Sequence, residues 1–247
     1  MTLPYEWSGT EGRPVLVLVN SLGTSRAMWS SAIAELQDDY RILSSELPGH
    51  IGASRPFSFG SVVDRTLELL EETGVSAATM AGVSLGGSIA VVVGARRPDL
   101  VGRVVAVNAP IRQESPEFWL ARADRVLSQG MGAIAEGAWE RWFPERTASA
   151  QAVVDTLASL DPTGYAEACR AIADLDIADE ARVLDVPALI VAADDDASVP
   201  PSNSVALAAA IDDSTLWRVG VGGHLLPVRR PRLFAQLVDA FVRSREI

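Results

Sequence analysis

The chain has 247 residues, with Lys+Arg 21 against Asp+Glu 32, so its formal net charge is −11. That balance, without a Lys/Arg stripe, argues against a nucleic-acid binder, which must neutralise phosphates with clustered cations. A chain of this length buries about 70–75% of its unfolded surface and needs no disulfide or structural metal to fold, and Cys169, the single cysteine, excludes an internal disulfide and a Cys-rich metal site.

The stretch Met1–Trp7 lacks the basic and apolar regions of a signal peptide, and no apolar run approaches the roughly 18 residues of a membrane span. A cytoplasmic protein without membrane contact is therefore expected. Strand-like and helical stretches then alternate: Val15–Asn20, Arg26–Gln37, Arg41–Ser45, a helix within Ser61–Glu72, Ala77–Val83, Gly86–Arg96 and Val101–Asn108. Continuous apolar runs such as Val15–Val19 suit strands buried on both faces, which is what a parallel sheet covered by helices requires. The class is α/β, with a mostly parallel, doubly wound sheet.

From about Ile111 to Arg182 the strand signal gives way to amphipathic helices carrying Trp119, Trp139, Trp142, Phe143 and Tyr165, with Cys169 expected to pack in one of them. The rhythm returns with Val186–Ala193, a helix within Ser202–Ala210, Ser214–Val219 and a last helix from Pro231 to Arg243. A helical stretch between strands reads as an insertion: residues 112–182 as a cap, 1–111 and 183–247 as the core. Most of the cap aromatics are expected to form its own small core, with some left to line a pocket. The basic run Arg229, Arg230 and Arg232 reads as a solvated helix start.

Gly82-Val83-Ser84-Leu85-Gly86 follows an apolar run and opens a helical one, the strand–turn–helix setting of a G-x-S-x-G nucleophile elbow. So tight a turn strains the serine backbone and admits only side-chain-free neighbours at two residues on either side. Serine attacks at neutral pH only when an imidazole takes its proton, and the chain has two histidines, His50 and His224. His224 lies between a late strand and the last helix, where a loop can carry its ring over the sheet edge; His50 is expected to make a structural hydrogen bond within its own loop. The acid that orients the base belongs on a loop after a strand, between Ser84 and His224 in chain order. Asp194, Asp195 and Asp196 follow Val186–Ala193 directly; Asp196 is chosen, and the other two read as loop-capping or solvated. The alternative position, after Val101–Val107, holds Asn108 and not an acid.

An oxyanion needs two aimed N–H donors. Leu85 supplies one at a helix N-terminus; the second belongs to the loop Asn20-Ser21-Leu22-Gly23-Thr24, where Ser21 and Leu22 both qualify. A nucleotide-binding enzyme does not fit, because the chain has no P-loop and the Gly82–Gly87 run lacks G-x-G-x-x-G spacing.

In this order the residues resemble the α/β-hydrolase superfamily, and more narrowly the 3-oxoadipate enol-lactonases of aromatic-ring catabolism, from about Val15 to Phe241. The most specific pieces are Asn20–Thr24 with Met28 and Trp29, Trp142-Phe143-Pro144, and the run Asp161–Asp176. The resemblance implies Ser84 as nucleophile, Asp196 as acid, His224 as base and Leu22 as the second oxyanion donor, alongside Leu85. It implies a small enol-lactone with a free carboxylate as substrate, 3-oxoadipate as product, and no cofactor or metal. Two departures bear on the substrate: Pro48 stands where the family has Arg, with an extra Ile51, and Arg230 stands where it has an acid.

A substrate carboxylate calls for an Arg under the cap, since a guanidinium fork matches it bidentately. Arg141 beside Trp142 is the first candidate, and Arg122 and Arg125 compete with it. A carboxylesterase or another lactonase, with a perhydrolase side activity, is the alternative within the class. Outside it stands a non-catalytic ligand-binding module on the same scaffold. The expected partner is a small lactone or ester; oligomeric state is not readable.

Overall fold

The apolar runs become the middle of one sheet in the computed structural model, which describes residues 3–47, 58–143 and 145–244. Seven strands form it: β1 (Tyr5–Gly9), β2 (Val15–Val19), β3 (Arg41–Ser45), β4 (Ala78–Val83), β5 (Val101–Val107), β6 (Ala188–Ala193) and β7 (Ser214–Val219). Their order is β1-β3-β2-β4-β5-β6-β7. β1 pairs antiparallel with β3, and every other pairing is parallel. β4 and β6 are buried at every position, and each fully buried Val, Leu or Ile in such strands contributes about 1.5–3 kcal/mol. β1 was not anticipated from the sequence. It is a short edge strand with exposed Tyr5 and Glu6, and its place depends on pairing with β3, more than thirty residues on.

After β2 come a 3₁₀ turn (Arg26–Trp29) and α1 (Ser30–Leu36), then α2 (Phe59–Glu72) and α3 (Leu85–Arg96). Ser58 and Ser61 cap the start of α2 reciprocally, each backbone N–H donating to the other's hydroxyl at 3.1 Å. α3 is apolar around most of its circumference and buried from Leu85 to Gly94, as a central helix against β4 and β5 must be.

Between β5 and β6 lie α4 (Pro116–Gln129), α5 (Gly132–Ala135), α6 (Ala138–Trp142), α7 (Ala148–Ser159), α8 (Pro162–Ala173) and α9 (Ala178–Arg182). α4 and α8 pack together, whereas α9 packs on α3 and on α10 (Pro201–Ala210). Cys169 is buried in α8. The chain closes with α11 (Leu226–Arg229) and α12 (Pro231–Arg243), the latter against α1. Among the described residues no helix is long and apolar enough to cross a membrane.

This strand order places the site. The chain runs β2 to β3 in one direction and then returns past β2 to β4, so the connections leaving β2 and β4 diverge. Such a switch point opens a crevice at the carboxyl ends of neighbouring strands. β2 and β4 are neighbours, with Val19 opposite Gly82.

Candidate active site

Ser84 sits at the tip of the turn from β4 to α3 with φ 56° and ψ −121°, a left-handed conformation that a side-chain-bearing residue holds only when its surroundings enforce it. A Cβ on Gly82 would strike the Gly86 carbonyl, and one on Gly86 would strike the Val19 carbonyl. The glycines therefore let the turn close and let α3 lie against the end of β2. The Ser84 N–H donates to the Val107 carbonyl at 2.8 Å, which ties the turn to β5.

The loop after β2 is fastened from within. Asn20 Nδ2 donates to the Thr24 carbonyl at 2.8 Å, and Thr24 Oγ1 donates to the Ser21 carbonyl at 2.7 Å. Ser21, Leu22, Ser84 and Leu85 thereby face one cavity of about 370 Å³, a size suited to a small molecule.

The end of β6 brings the three aspartates to different partners. Asp196 Oδ1 accepts the N–H groups of Ser198 at 2.7 Å and Val199 at 3.0 Å, and Oδ2 accepts from His224 Nδ1 at 2.8 Å. An ionised carboxylate can only accept, so Nδ1 carries the proton and Nε2 is left able to receive one. The Asp196 and His224 side chains are 0% and 4% exposed, and His224 lines the same cavity as Ser84. Asp195 Oδ1 accepts from the Gly222 and Gly223 amides at 2.8 and 2.7 Å, and Oδ2 from Arg229 at 2.6 Å. Partial burial opposes its ionisation, yet the two amides and Arg229 outweigh that and hold its carboxyl below the usual range. Asp194 pairs with Arg218 at 2.5 Å.

One expectation is corrected here. Arg229 is not solvated: its side chain is 14% exposed and spans Asp195 and Glu145, while Arg230 and Arg232 are exposed. The aromatics of the helical segment belong to the buried core or pack against it, and some of them also face the cavity. Trp119, Trp142 and Tyr165 line the cavity, and Trp142 stacks on His224 with ring centres 6.5 Å apart. Trp139 and Phe143 do pack within the helical segment, edge to face.

Arg122 and Arg141 also line the cavity. Arg122 is 9% exposed and donates twice to the Tyr165 hydroxyl, from Nε at 2.9 Å and Nη2 at 2.7 Å. Arg141 reaches the Ile134 carbonyl at 3.4 Å. Burial, and next the neighbouring Arg122 charge, lower its pKa to about 10, so it remains a cation at neutral pH. Among the described residues no carboxylate forms an ion pair with either. Arg125 points elsewhere, exposed and bonded to Gln129. Sequence reasoning passed over Arg112, which lines the cavity and pairs with Asp176 at 3.7 Å. His50, Pro48 and Ile51 lie outside the described residues. Among the described residues no three His, Cys, Asp or Glu cluster as a metal ion would require.

A mostly parallel sheet with a strained serine at the β4–α3 turn and a histidine–aspartate pair at the adjoining strand ends defines a hydrolase of the α/β class. The chain belongs to the alpha/beta hydrolase fold family, whose model matches residues 14–231. It is similar to 3-oxoadipate enol-lactonase 2 of Acinetobacter baylyi, 29% identical over 98% of this chain and 94% of the relative. Among solved structures it resembles the enol-lactonase of Burkholderia xenovorans LB400, with TM-score 0.92 and 29% identity, covering 98% of this chain and 96% of that one. It also resembles a thermophilic esterase from Thermogutta terrifontis, with TM-score 0.87 and 26% identity over 98% and 93% of the two chains.

Proposed function

We propose that this hydrolase opens a small carboxylate-bearing lactone, 3-oxoadipate enol-lactone to 3-oxoadipate, with Ser84, His224 and Asp196 as its catalytic triad. The observation that carries this reading is a cavity lined by a strained serine, an aspartate-bound histidine and two guanidinium groups, one buried and one half-buried, with no carboxylate ion-paired to either among the described residues. A buried charge without a partner is costly, and a ligand carboxylate supplies the missing one.

In the reaction, Ser84 Oγ attacks the lactone carbonyl while His224 Nε2 takes its proton. Asp196 holds the ring in the Nδ1–H tautomer and stabilises the imidazolium. The backbone N–H groups of Leu22 and Leu85 receive the oxyanion, the latter aided by the dipole of α3. The ring C–O bond then breaks, His224 returns the proton to the departing enolate, and the enol tautomerises to the ketone. Water, activated by His224, hydrolyses the ester on Ser84 and releases the second carboxylate. Arg141 and Arg122 hold the free carboxylate, with Trp142 walling the site above His224. Residues 112–182 act as the cap that supplies these contacts to the core of 1–111 and 183–247.

The test is hydrolysis of freshly generated 3-oxoadipate enol-lactone, followed by loss of its ultraviolet absorbance, with Ser84→Ala alongside. Wild-type kcat/KM of about 10⁴ M⁻¹s⁻¹ or more, abolished in the variant, is expected. Lactone decay at its spontaneous rate, with an uncharged ester turned over, would transfer the assignment to an esterase.

A further inference from the structure

The residue after β5 has no role in the reaction above, yet it makes an unusual set of contacts. Asn108 is 2% exposed and holds φ 49°. Its Nδ2 donates to two carbonyls of the histidine loop, Gly223 and His224, each at 2.9 Å. Its Oδ1 accepts from the N–H of Ala193, the last residue of β6, at 2.8 Å. Its backbone N–H donates to the Val191 carbonyl at 2.8 Å, and the preceding carbonyl, Val107, receives the Ser84 N–H.

We infer that Asn108 is a positioning residue for the triad, one side-chain amide that locks the loop bearing His224 to the strand end bearing Asp196 and sets the geometry between them. The inference rests on the reading of Ser84, Asp196 and His224 as the triad. Asp196 and His224 sit on separate loops and meet through one hydrogen bond. The loops are joined as well by Asp195, whose carboxylate accepts from the Gly222 and Gly223 amides; a displacement of about 1 Å at a reacting group costs about 100-fold in rate, so each further tie between them bears on activity. Asn108 adds a bridge from the end of β5, with two bonds to the Gly223 and His224 carbonyls and one from the Ala193 N–H at the end of β6, all to backbone, so they constrain the Cα positions from which both side chains project.

The residue type follows from the geometry. A donor at one end and an acceptor at the other are needed within one short side chain, which only an amide provides. Aspartate keeps the shape and the acceptor for Ala193 but sets a carboxylate against two carbonyls. The positive φ also favours Asn, Asp or Gly. Asn108 touches neither the imidazole ring nor the Ser84 hydroxyl in any of these bonds, so it acts through the loops and not on the substrate.

Asn108→Gly and Asn108→Asp test this, since neither replacement strains the backbone. The probes are steady-state hydrolysis of p-nitrophenyl acetate, the rate of Ser84 phosphonylation by a fluorophosphonate, and ¹⁵N-histidine NMR, in which the chain contributes just two imidazoles. Both variants are expected to fold by circular dichroism, to lose about 10- to 100-fold in kcat and in phosphonylation rate, and to keep KM within about threefold. The Nδ1–H resonance of His224 should shift or broaden while that of His50 stays in place. Unchanged kcat with an unchanged His224 resonance overturns the inference. So does a loss of folding in both variants, which would make Asn108 a stabilising residue only. Ser84→Ala, run in parallel, separates the two failures: if it retains activity the triad reading falls, whereas if it is inactive while Asn108→Gly is unimpaired, the Asn108 inference alone falls.

Discussion

The carboxyl edge of the sheet and the helical segment beside it contribute to one cavity in different ways. At the sheet edge the site depends on backbone: positive φ at Ser84 and Asn108, glycines that permit close approach, and a short loop after β2 fastened from within. In the segment it depends on side chains carried by ordinary helices, Arg122 on α4, Trp142 with Arg141 on α6, and Tyr165 on α8. The difference teaches where change is tolerated. On the proposed triad, the edge would lose activity through atoms that never meet substrate, whereas substitutions on the helices would change selectivity without disturbing the sheet.

The largest expected effects lie at the edge. Asp196→Asn, which preserves shape but allows the wrong imidazole tautomer, should lower kcat about 10⁴-fold with little change in KM. Stopped-flow hydrolysis of the lactone reads it, and a variant within tenfold of wild type would remove Asp196 from the triad. Next come the arginines. Arg122→Met and Arg141→Met should each lower kcat/KM on the carboxylate-bearing lactone about 10- to 100-fold, the value of a charge-assisted hydrogen bond of about 1.5–3 kcal/mol. On p-nitrophenyl acetate the same variants should stay within about twofold of wild type. Equal losses on both substrates would mean the arginines support the fold and not recognition.

Smaller effects concern stability, and their signs differ between the regions. The folded-state pKa of Arg141 is lowered to about 10 by burial and then by Arg122, below its unfolded value. The cation therefore costs stability at every pH below about 10, and the cost fades as pH rises through that value. Arg141→Met should accordingly raise Tm at pH 7 in the ligand-free protein while it impairs lactone turnover; a lower Tm would show that the side chain's packing outweighs its charge. The smallest change is expected at Glu46, just after β3. Burial raises its pKa above the ordinary 4.5, against the opposing Arg26 amide and charge. Protonation thus favours the folded state, and this contribution is full below pH 4.5 and is lost as pH climbs through the raised value. Glu46→Gln should flatten that part of the Tm profile between pH 4 and 7, and an identical slope in both proteins would refute the assignment.

Much of the edge was legible because its rules are local. The elbow declares itself by Gly82 and Gly86, since a Cβ at either collides with backbone, and two histidines leave only two candidates for a base. Three adjacent aspartates were harder, and their partners separate them: a ring, a pair of amides, a surface arginine. Arg229 was misread because its partner Asp195 lies 34 residues away. Arg122 and Arg125 stand on one helix three residues apart, and nothing local says that one is buried against Tyr165 while the other faces solvent.

The sequence by itself determined the α/β alternation, the elbow at Ser84 and the order in which Ser84, Asp196 and His224 occur, because turn sterics and hydrophobic period act over a few residues. Only the tertiary structure decided that β1 completes the sheet, that Trp142 stacks on His224, and that Arg122 and Arg141 share a cavity. It alone showed Asn108 joining a strand end 85 residues away to a loop 116 residues away. The physical reason is range: hydrogen bonds and charges select partners by distance in space, and that distance exists only after the sheet has assembled.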